Sequence, residues 1–297
     1  MCILEADFPI LPNYSVFMIL LAESGSTKTD WRWIDAQGNI QQTRTEGINP
    51  FYEDAISIQN LIETHVKALI QSPIREIYYY GTGIVGDATK EAMKQIFDSL
   101  FSPTVCEVES DVIGAGRALF GDGSGIACIL GTGANSCFFD AQKVAFQIPP
   151  LGFWLGDEGS GGYLGKSLVL SYLHNELPLN IREAFEGQFG KFDRIRVLEH
   201  AYRKPFPNRY FASFAPFLFE YRKDPFVYQL ISDAFDLFFQ KYVLKYPMLR
   251  ESPIGFVGSV AYHFQDILRH VGEKHQVSIQ QVIESPAARL LLYHQPK

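Results

Sequence analysis

The sequence predicts an α/β protein of two related halves, each a mixed sheet flanked by helices, with a ligand cleft between them. Three observations carry this. A pattern of three strand-like runs followed by alternating helix and strand starts near residue 17 and starts again near residue 125. Each strand meander holds a small-residue turn: Glu23-Ser24-Gly25-Ser26-Thr27-Lys28-Thr29 in the first and Leu130-Gly131-Thr132-Gly133-Ala134-Asn135-Ser136 in the second. Both turns run from strand to strand, and G-x-x-x-x-G-K-[ST] is absent, so neither is a P-loop.

Taken in order, residues 17–22, 30–34 and 40–45 read as strands, the last two joined by the hairpin signal Asp35-Ala36-Gln37-Gly38-Asn39. A helix is expected over 53–70, where Ile56, Leu61, Ile62, Val66 and Leu69 recur at helical spacing. Strand 76–80, helix 88–100, strand 104–108 and a helix from about Asp111 complete the first half. The second meander is 125–130, 135–140 and 143–148. Helices follow over 161–175, 181–202, 209–221 and 226–246. A strand at 254–257, a helix over 259–271, a short strand near Val277 and a terminal helix over 286–294 close the chain. The halves divide near Arg117, before Gly121-Asp122-Gly123-Ser124-Gly125. The expected organisation is an N-terminal domain over 18–117, onto which the terminal helix (286–295) packs back, and a C-terminal domain over 118–285 with a helical insert at about 165–250.

Composition narrows the class. A chain of 297 residues, 47% hydrophobic and 20% charged, suits a soluble globular protein of two ordinary domains. A net charge of -7 argues against a dedicated nucleic-acid binder. Residues 1–17 contain Glu5, Asp7, Pro9 and Pro12 and no basic residue, which does not fit a signal peptide. They are expected to be an extension, disordered or not native, with Met18 as the natural start. The apolar run at 16–22 is too short to span a bilayer, so no membrane association and a cytoplasmic location are expected. Cys2, Cys106, Cys128 and Cys137 show neither C-x-x-C nor zinc spacing and read as buried small hydrophobes.

Several positions carry chemistry, each with a purely structural alternative. In the first turn, Ser24, Ser26 and Thr27 offer hydroxyls, Gly25 allows close backbone approach and Lys28 offers a cation; Glu23 could hold a hydrated Mg²⁺. The alternative is a plain hairpin turn. In the second turn a Thr stands between two glycines, Gly131-Thr132-Gly133, which a plain hairpin does not need. Two such turns facing each other could clamp a nucleotide's phosphates. Asp111, after strand 104–108 at a helix start, is either an N-cap or a general base for a hydroxyl group. The loop Gly152-Phe153-Trp154-Leu155-Gly156-Asp157-Glu158-Gly159-Ser160 sets acids among glycines before a helix, suiting a polyhydroxylated ligand accepted by Asp157; the alternative is a glycine-rich loop capped by Ser160. Asn49, before Pro50, and Gly81-Thr82 follow strands that end at the same crevice, or are ordinary turn and loop residues. Gly258-Ser259 at a strand-to-helix junction could admit adenosine, or form a tight turn with a Ser cap.

Together these residues resemble the sugar kinase/Hsp70/actin superfamily, and within it the BadF/BadG/BcrA/BcrD-type group that includes N-acetylglucosamine kinases. The resemblance runs from Met18 to the end. Residues 23–29 are similar to the first phosphate motif, 131–136 to the second, and Val257-Gly258-Ser259-Val260 to the adenosine motif. Leu155-Gly156-Asp157-Glu158-Gly159-Ser160 is similar to the G-D-E-G-S loop of N-acetylglucosamine kinases, where the Asp contacts sugar. The resemblance implies two ribonuclease H-like (actin-like ATPase) domains, each with a mixed five-stranded sheet. It implies Asp111 as catalytic base, and Asn49, Gly81, Thr82, Ala134, Asn135, Gly152 and Asp157 at the sugar. The chain departs from the pattern at Glu23, where the superfamily usually has Asp, and at Arg289, where the terminal helix commonly has Gly.

The implied activity is ATP- and Mg²⁺-dependent phosphorylation of an N-acetylated amino sugar, N-acetylglucosamine at its 6-hydroxyl being the foremost candidate. N-acetylmuramic acid and glucosamine are not separated from it. Sugar and ATP are the expected partners, and an exposed aromatic surface on the insert could pair two copies of the chain. Two other readings stay open: an ATPase activator of the 2-hydroxyacyl-CoA dehydratase type, which needs cysteines for an iron–sulfur cluster, and a nucleotide-binding regulator without turnover.

Overall fold

The computed structural model describes residues 18–35 and 38–295. The extension at 1–17, with Cys2, lies outside the described residues, as do Ala36 and Gln37 of the hairpin. The first meander is β1 (Ile19–Ser24), β2 (Lys28–Ile34) and β3 (Ile40–Glu46). It is followed by α1 (Ala55–His65), β4 (Glu76–Gly81), α2 (Asp87–Phe101), β5 (Val105–Ser110) and α3 (Asp111–Phe120). The second meander is β6 (Ser124–Leu130), β7 (Ala134–Asp140) and β8 (Lys143–Phe146). Seven helices come next: α4 (Gly152–Leu155), α5 (Gly161–Leu173), α6 (Leu179–Phe189), α7 (Arg194–Tyr202), α8 (Pro207–Ala212), α9 (Ala215–Glu220) and α10 (Pro225–Lys241). The chain ends with β9 (Ile254–Val257), α11 (Ser259–His263), α12 (Gln265–Lys274), β10 (Gln281–Ile283) and α13 (Ala287–His294).

The repeat in the sequence is a repeat in space. One five-stranded sheet has the order β3-β2-β1-β4-β5 and the other β8-β7-β6-β9-β10. In each, the meander pairs antiparallel and the later strands add in parallel beside the first. Parallel neighbours need crossovers, which the intervening helices supply. Alternation along β1 and β2 sorts their side chains. Leu20, Ala22, Trp31 and Trp33 pack with Ile58, Ile62, Met93 and Phe97 of α1 and α2. Ile19, Leu21 and Ile34 face the other way, into a core shared by α3, α13 and the second sheet through Ala127, Cys137, Phe139 and Val257. Thus α3 is wedged between the two sheets. Its Gly116 lies so near the Phe139 ring that a Cβ there would meet it at 2.3 Å.

Finer boundaries differ from the sequence expectation for local reasons. The helix over 53–70 starts at Ala55, capped by the Asp54 side chain, and its end tightens into a 3-10 turn at Lys67–Leu69. The helix over 181–202 breaks at Gly190 and restarts after Asp193, which caps α7. The helix over 209–221 is two short ones, because Pro216 in the first turn of α9 has no N–H with which to continue the ladder. The segment over 259–271 is split at Phe264. The last strand lies at Gln281–Ile283, where it pairs with β9, while the Val277 N–H closes the end of α12 on the Gly272 carbonyl. The aromatic content fills the insert: Phe185, Phe189, Phe192, Phe214 and Phe217 pack edge to face around one centre.

Candidate active site

Strand register aligns the site. Ser24, Gly81 and Ser110 stand side by side at the C-terminal ends of β1, β4 and β5. The first turn, Thr82 and Asp111 therefore leave the sheet along one edge. In the second sheet Gly258 follows β9 directly beside Leu130. Its φ is +121°, and a Cβ would meet the Leu130 carbonyl oxygen at 2.3 Å, so only glycine fits. The two turns then meet: Thr27 Oγ1 and Thr132 Oγ1 are 2.7 Å apart. A phosphate chain lying between them requires these hydroxyls to part.

The turns divide their polar groups unevenly. The Gly25 N–H donates to the Lys28 carbonyl and the Gly131 N–H to that of Gly133, closing each turn on itself. The N–H groups of Ser26, Thr27, Thr132 and Gly133 take no partner among the described residues, so these are the donors left for an anion. Ser24 corrects the sequence reading. Its side chain is fully buried, and its hydroxyl bonds Thr29 Oγ1 (2.8 Å), donates to the Ile48 carbonyl (3.1 Å) and accepts from the Ile48 N–H (3.0 Å). That hydroxyl fastens the turn to the 47–49 loop and is not directed at a phosphate. Lys28 lies half exposed, with Nζ 3.8 Å from Asp30 Oδ2.

Three acids share one face. Glu23 and Asp30 are directly opposite each other on β1 and β2, on the side against which α3 packs. Asp111 is the first residue of α3 and Ser110 occupies the cap position, so the N-cap alternative for Asp111 does not hold. Burial, then the negative charges of Asp30 and Asp111, push the Glu23 carboxyl up to about 8 against a weaker pull from Lys28. Burial lifts Asp111 to about 6, although backbone N–H groups oppose it. Asp30, which sequence reasoning missed, accepts the Arg44 Nε–H at Oδ1, while its buried Oδ2 has no hydrogen-bond partner. A carboxylate oxygen without a hydrogen bond, faced only by the Lys28 ammonium at 3.8 Å and set beside a second carboxylate, fits a hydrated divalent cation. Among the described residues no three His, Cys, Asp or Glu side chains converge to ligate an ion directly. Water and phosphate oxygens would therefore complete the shell. The signal for Asp30 was its place opposite Glu23 in the hairpin register.

The expected sugar residues gather around the second turn and the loop after β3. Asp157 is buried with φ +61°, an unusual value for a residue with a side chain. It accepts the Ala134 N–H at 3.1 Å, and a Cβ on Gly133 would meet its Oδ2 at 3.1 Å. Burial raises its carboxyl to about 6. Ser160 caps α5, receiving the Tyr163 N–H; capping and an inward-facing Asp157 coexist in one loop. Asn135 accepts the Ser136 N–H and a Gln147 amide N–H at its carbonyl oxygen, so its NH₂ is the part left to donate. Asn49 caps its own turn at the Phe51 N–H (3.1 Å) and rests against Gly83, whose φ is +78°. The Thr82 N–H is taken by the Ser24 carbonyl. Gly152 opens the short helix α4 beside exposed Trp154 and Leu155. Gly258 caps α11 and Ser259 is its first residue, so the Ser-cap alternative fails there too.

Cys128 and Cys137 are buried on opposite faces of the second sheet and Cys106 is partly buried on β5, so no cluster-forming group arises among the described cysteines. No helix among the described residues is long and apolar enough to cross a membrane.

No protein-family model and no curated protein matches the chain. Solved structures do. A Porphyromonas gingivalis protein provisionally assigned as an N-acetylglucosamine kinase is 40% identical, with TM-score 0.86, over 93% of this chain and 98% of that one. A Chromobacterium violaceum protein with the same provisional assignment matches at 17% identity and TM-score 0.73, over 95% and 100% of the two chains. A ROK-family glucokinase of Streptomyces griseus, solved with glucose and AMPPNP, shares the fold at 14% identity and TM-score 0.54, over 93% and 97%. With actin-like architecture in both halves and 40% identity along nearly its whole length, the chain belongs to the BadF/BadG-type sugar kinases, in the group that includes N-acetylglucosamine kinases.

Proposed function

We propose that this kinase transfers the γ-phosphoryl group of ATP to the 6-hydroxyl of an N-acetylated amino sugar, with N-acetylglucosamine as the foremost substrate. The observation that supports this most is the meeting of the two turns at Thr27 and Thr132, with Asp111 at the same sheet edge as the first of them. Free N–H groups of both turns would hold the β- and γ-phosphates. Gly258, packed against the Leu130 carbonyl next to the second turn, would set the adenosine end of the site beside the phosphates. Asn49, Asp157 and the Asn135 amide would orient the sugar, Asp157 accepting from its hydroxyls. Asp111 would take the proton of the attacking hydroxyl; a carboxyl lifted to about 6 is still ionised at neutral pH and is a better base than an ordinary one. Glu23 and Asp30 would hold Mg²⁺ through water, and the ion would supply charge neutralisation at the transferring phosphoryl group. Closing the halves excludes water and limits wasteful hydrolysis.

The test is sugar-stimulated ADP release from ATP and Mg²⁺ across N-acetylglucosamine, N-acetylmuramic acid and glucosamine, with the product's phosphate position read by NMR. N-acetylglucosamine should give the highest kcat/KM and a 6-phosphate. ATP binding without sugar-stimulated turnover would instead favour a regulator.

A further inference from the structure

Arg209 belongs to α8 of the helical insert, yet its polar partners lie on the other half of the molecule. Nη2 donates to the Gly47 carbonyl at 3.2 Å and lies 3.7 Å from Glu53 Oε1. Only 20% of the Arg209 side chain and 21% of Glu53 remain exposed, so this is not a free surface pair. The guanidinium lies 3.7 Å from the Phe206 ring centre, and Phe206 holds a left-handed φ of +54° just before Pro207. The Arg209 Nε is buried without a partner. A mostly buried cation with one orphaned donor is costly unless its remaining contacts repay it. All of those contacts except the ring cross between the halves.

What Arg209 touches is tied to the site on both sides. The Gly47 N–H donates to the Thr27 carbonyl, the Ile48 N–H to Ser24, and Asn49 follows. On its own side, α8 packs so closely on α5 that a Cβ on Gly165 would meet the Phe211 carbonyl oxygen at 1.8 Å. The Gly162 N–H of α5 donates to the Thr132 carbonyl. One guanidinium thus connects the first turn and the Asn49 loop with the helix pair that supports the second turn and follows the Asp157 loop. We propose that Arg209 is a positioning residue, a latch that holds the Asn49 loop against the insert and so couples closure of the two halves to sugar occupancy. The sugar part of this rests on the kinase reading above; the latch itself does not. Contacts that exist only with the halves together favour the closed state over the open one.

The experiment compares wild type, Arg209→Glu, Arg209→Lys and the charge swap Arg209→Glu with Glu53→Arg. Steady-state kinetics and affinity for a non-hydrolysable ATP analogue are measured on each, with small-angle X-ray scattering in the presence of that analogue and N-acetylglucosamine. Arg209→Glu should raise the sugar KM by about tenfold or more, as expected for a charged hydrogen bond lost at a mostly buried site. It should weaken the ATP analogue as well, because each half supplies one of the two turns, and give a larger radius of gyration than wild type. The swap should recover at least half of the KM loss, and Arg209→Lys, which keeps the charge but loses the planar fork, should fall between. Equal defects in Arg209→Glu and the swap, or a sugar KM within about twofold of wild type in Arg209→Glu, would overturn the latch. If wild type phosphorylates no sugar, the kinase reading fails and scattering alone decides: an unchanged profile in Arg209→Glu refutes the latch, an expanded one upholds it.

Discussion

Replacing Glu23 with Gln removes one of three neighbouring acids while keeping shape and one carbonyl oxygen. In the fold this carboxyl titrates at about 8, against an ordinary 4.5. Between those values the folded chain keeps a proton that the unfolded chain has released. Its contribution is therefore complete at low pH and is lost as pH rises toward 8. Each pH unit inside the window costs about 1.4 kcal/mol. Asp111 and Asp157, lifted to about 6, are still about a quarter protonated at pH 6.5, but both proteins carry them. Urea unfolding with a chelator present, on both proteins at pH 6.5, 7.0 and 7.5, isolates Glu23, because histidine and other shared titrations cancel in the difference. The Gln variant should gain roughly 1 kcal/mol on wild type across that interval. Parallel pH dependences in the two proteins would refute the claim that burial, helped by the charges of Asp30 and Asp111, keeps the Glu23 carboxyl protonated above pH 7.

Ser24→Ala should destabilise the fold by about 1–3 kcal/mol, because the Ile48 N–H loses its buried acceptor. Chemical unfolding would show this, while affinity of the folded protein for an ATP analogue stays nearly unchanged. A selective loss of that affinity at unchanged stability would restore the hydroxyl to the phosphate. Gly258→Ala forces a Cβ against the Leu130 carbonyl at a φ of +121°, and should lose about 2 kcal/mol or more in unfolding together with nucleotide affinity. A fully stable variant that binds nucleotide normally would refute the close approach. Finally, kcat/KM should fall on the acid side with a limb near pH 6, where Asp111 takes up its proton. A flat profile down to pH 5 would remove Asp111 as the base.

The repeated meander was legible because strand alternation and turn residues are local, and the same pattern written twice is hard to produce otherwise. The places of both turns and of Asp111 at strand ends were legible for the same reason: each sits next to an identifiable strand. Side-chain destinations were not. Ser24 reads as a phosphate donor because its hydroxyl neighbours a turn, yet strand alternation sends it into the core beside Thr29. Asp30 has no motif of its own and acquires meaning only from register opposite Glu23. Arg209 reads as the start of a helix, and its partners Gly47 and Glu53 lie more than 150 positions away in sequence. The long helices of the insert were over-extended because apolar periodicity continues through breaks that Gly190 and Pro216 impose on the backbone.

Phosphoryl transfer between the two facing turns, as proposed, depends on Asp111 as the base. Asp111→Asn tests it most directly, through kcat for sugar-dependent ADP release measured beside the affinities for N-acetylglucosamine and an ATP analogue. The kcat should fall about 10²–10⁴-fold with both affinities largely kept. A kcat close to wild type, or a loss explained entirely by weaker binding, would contradict it.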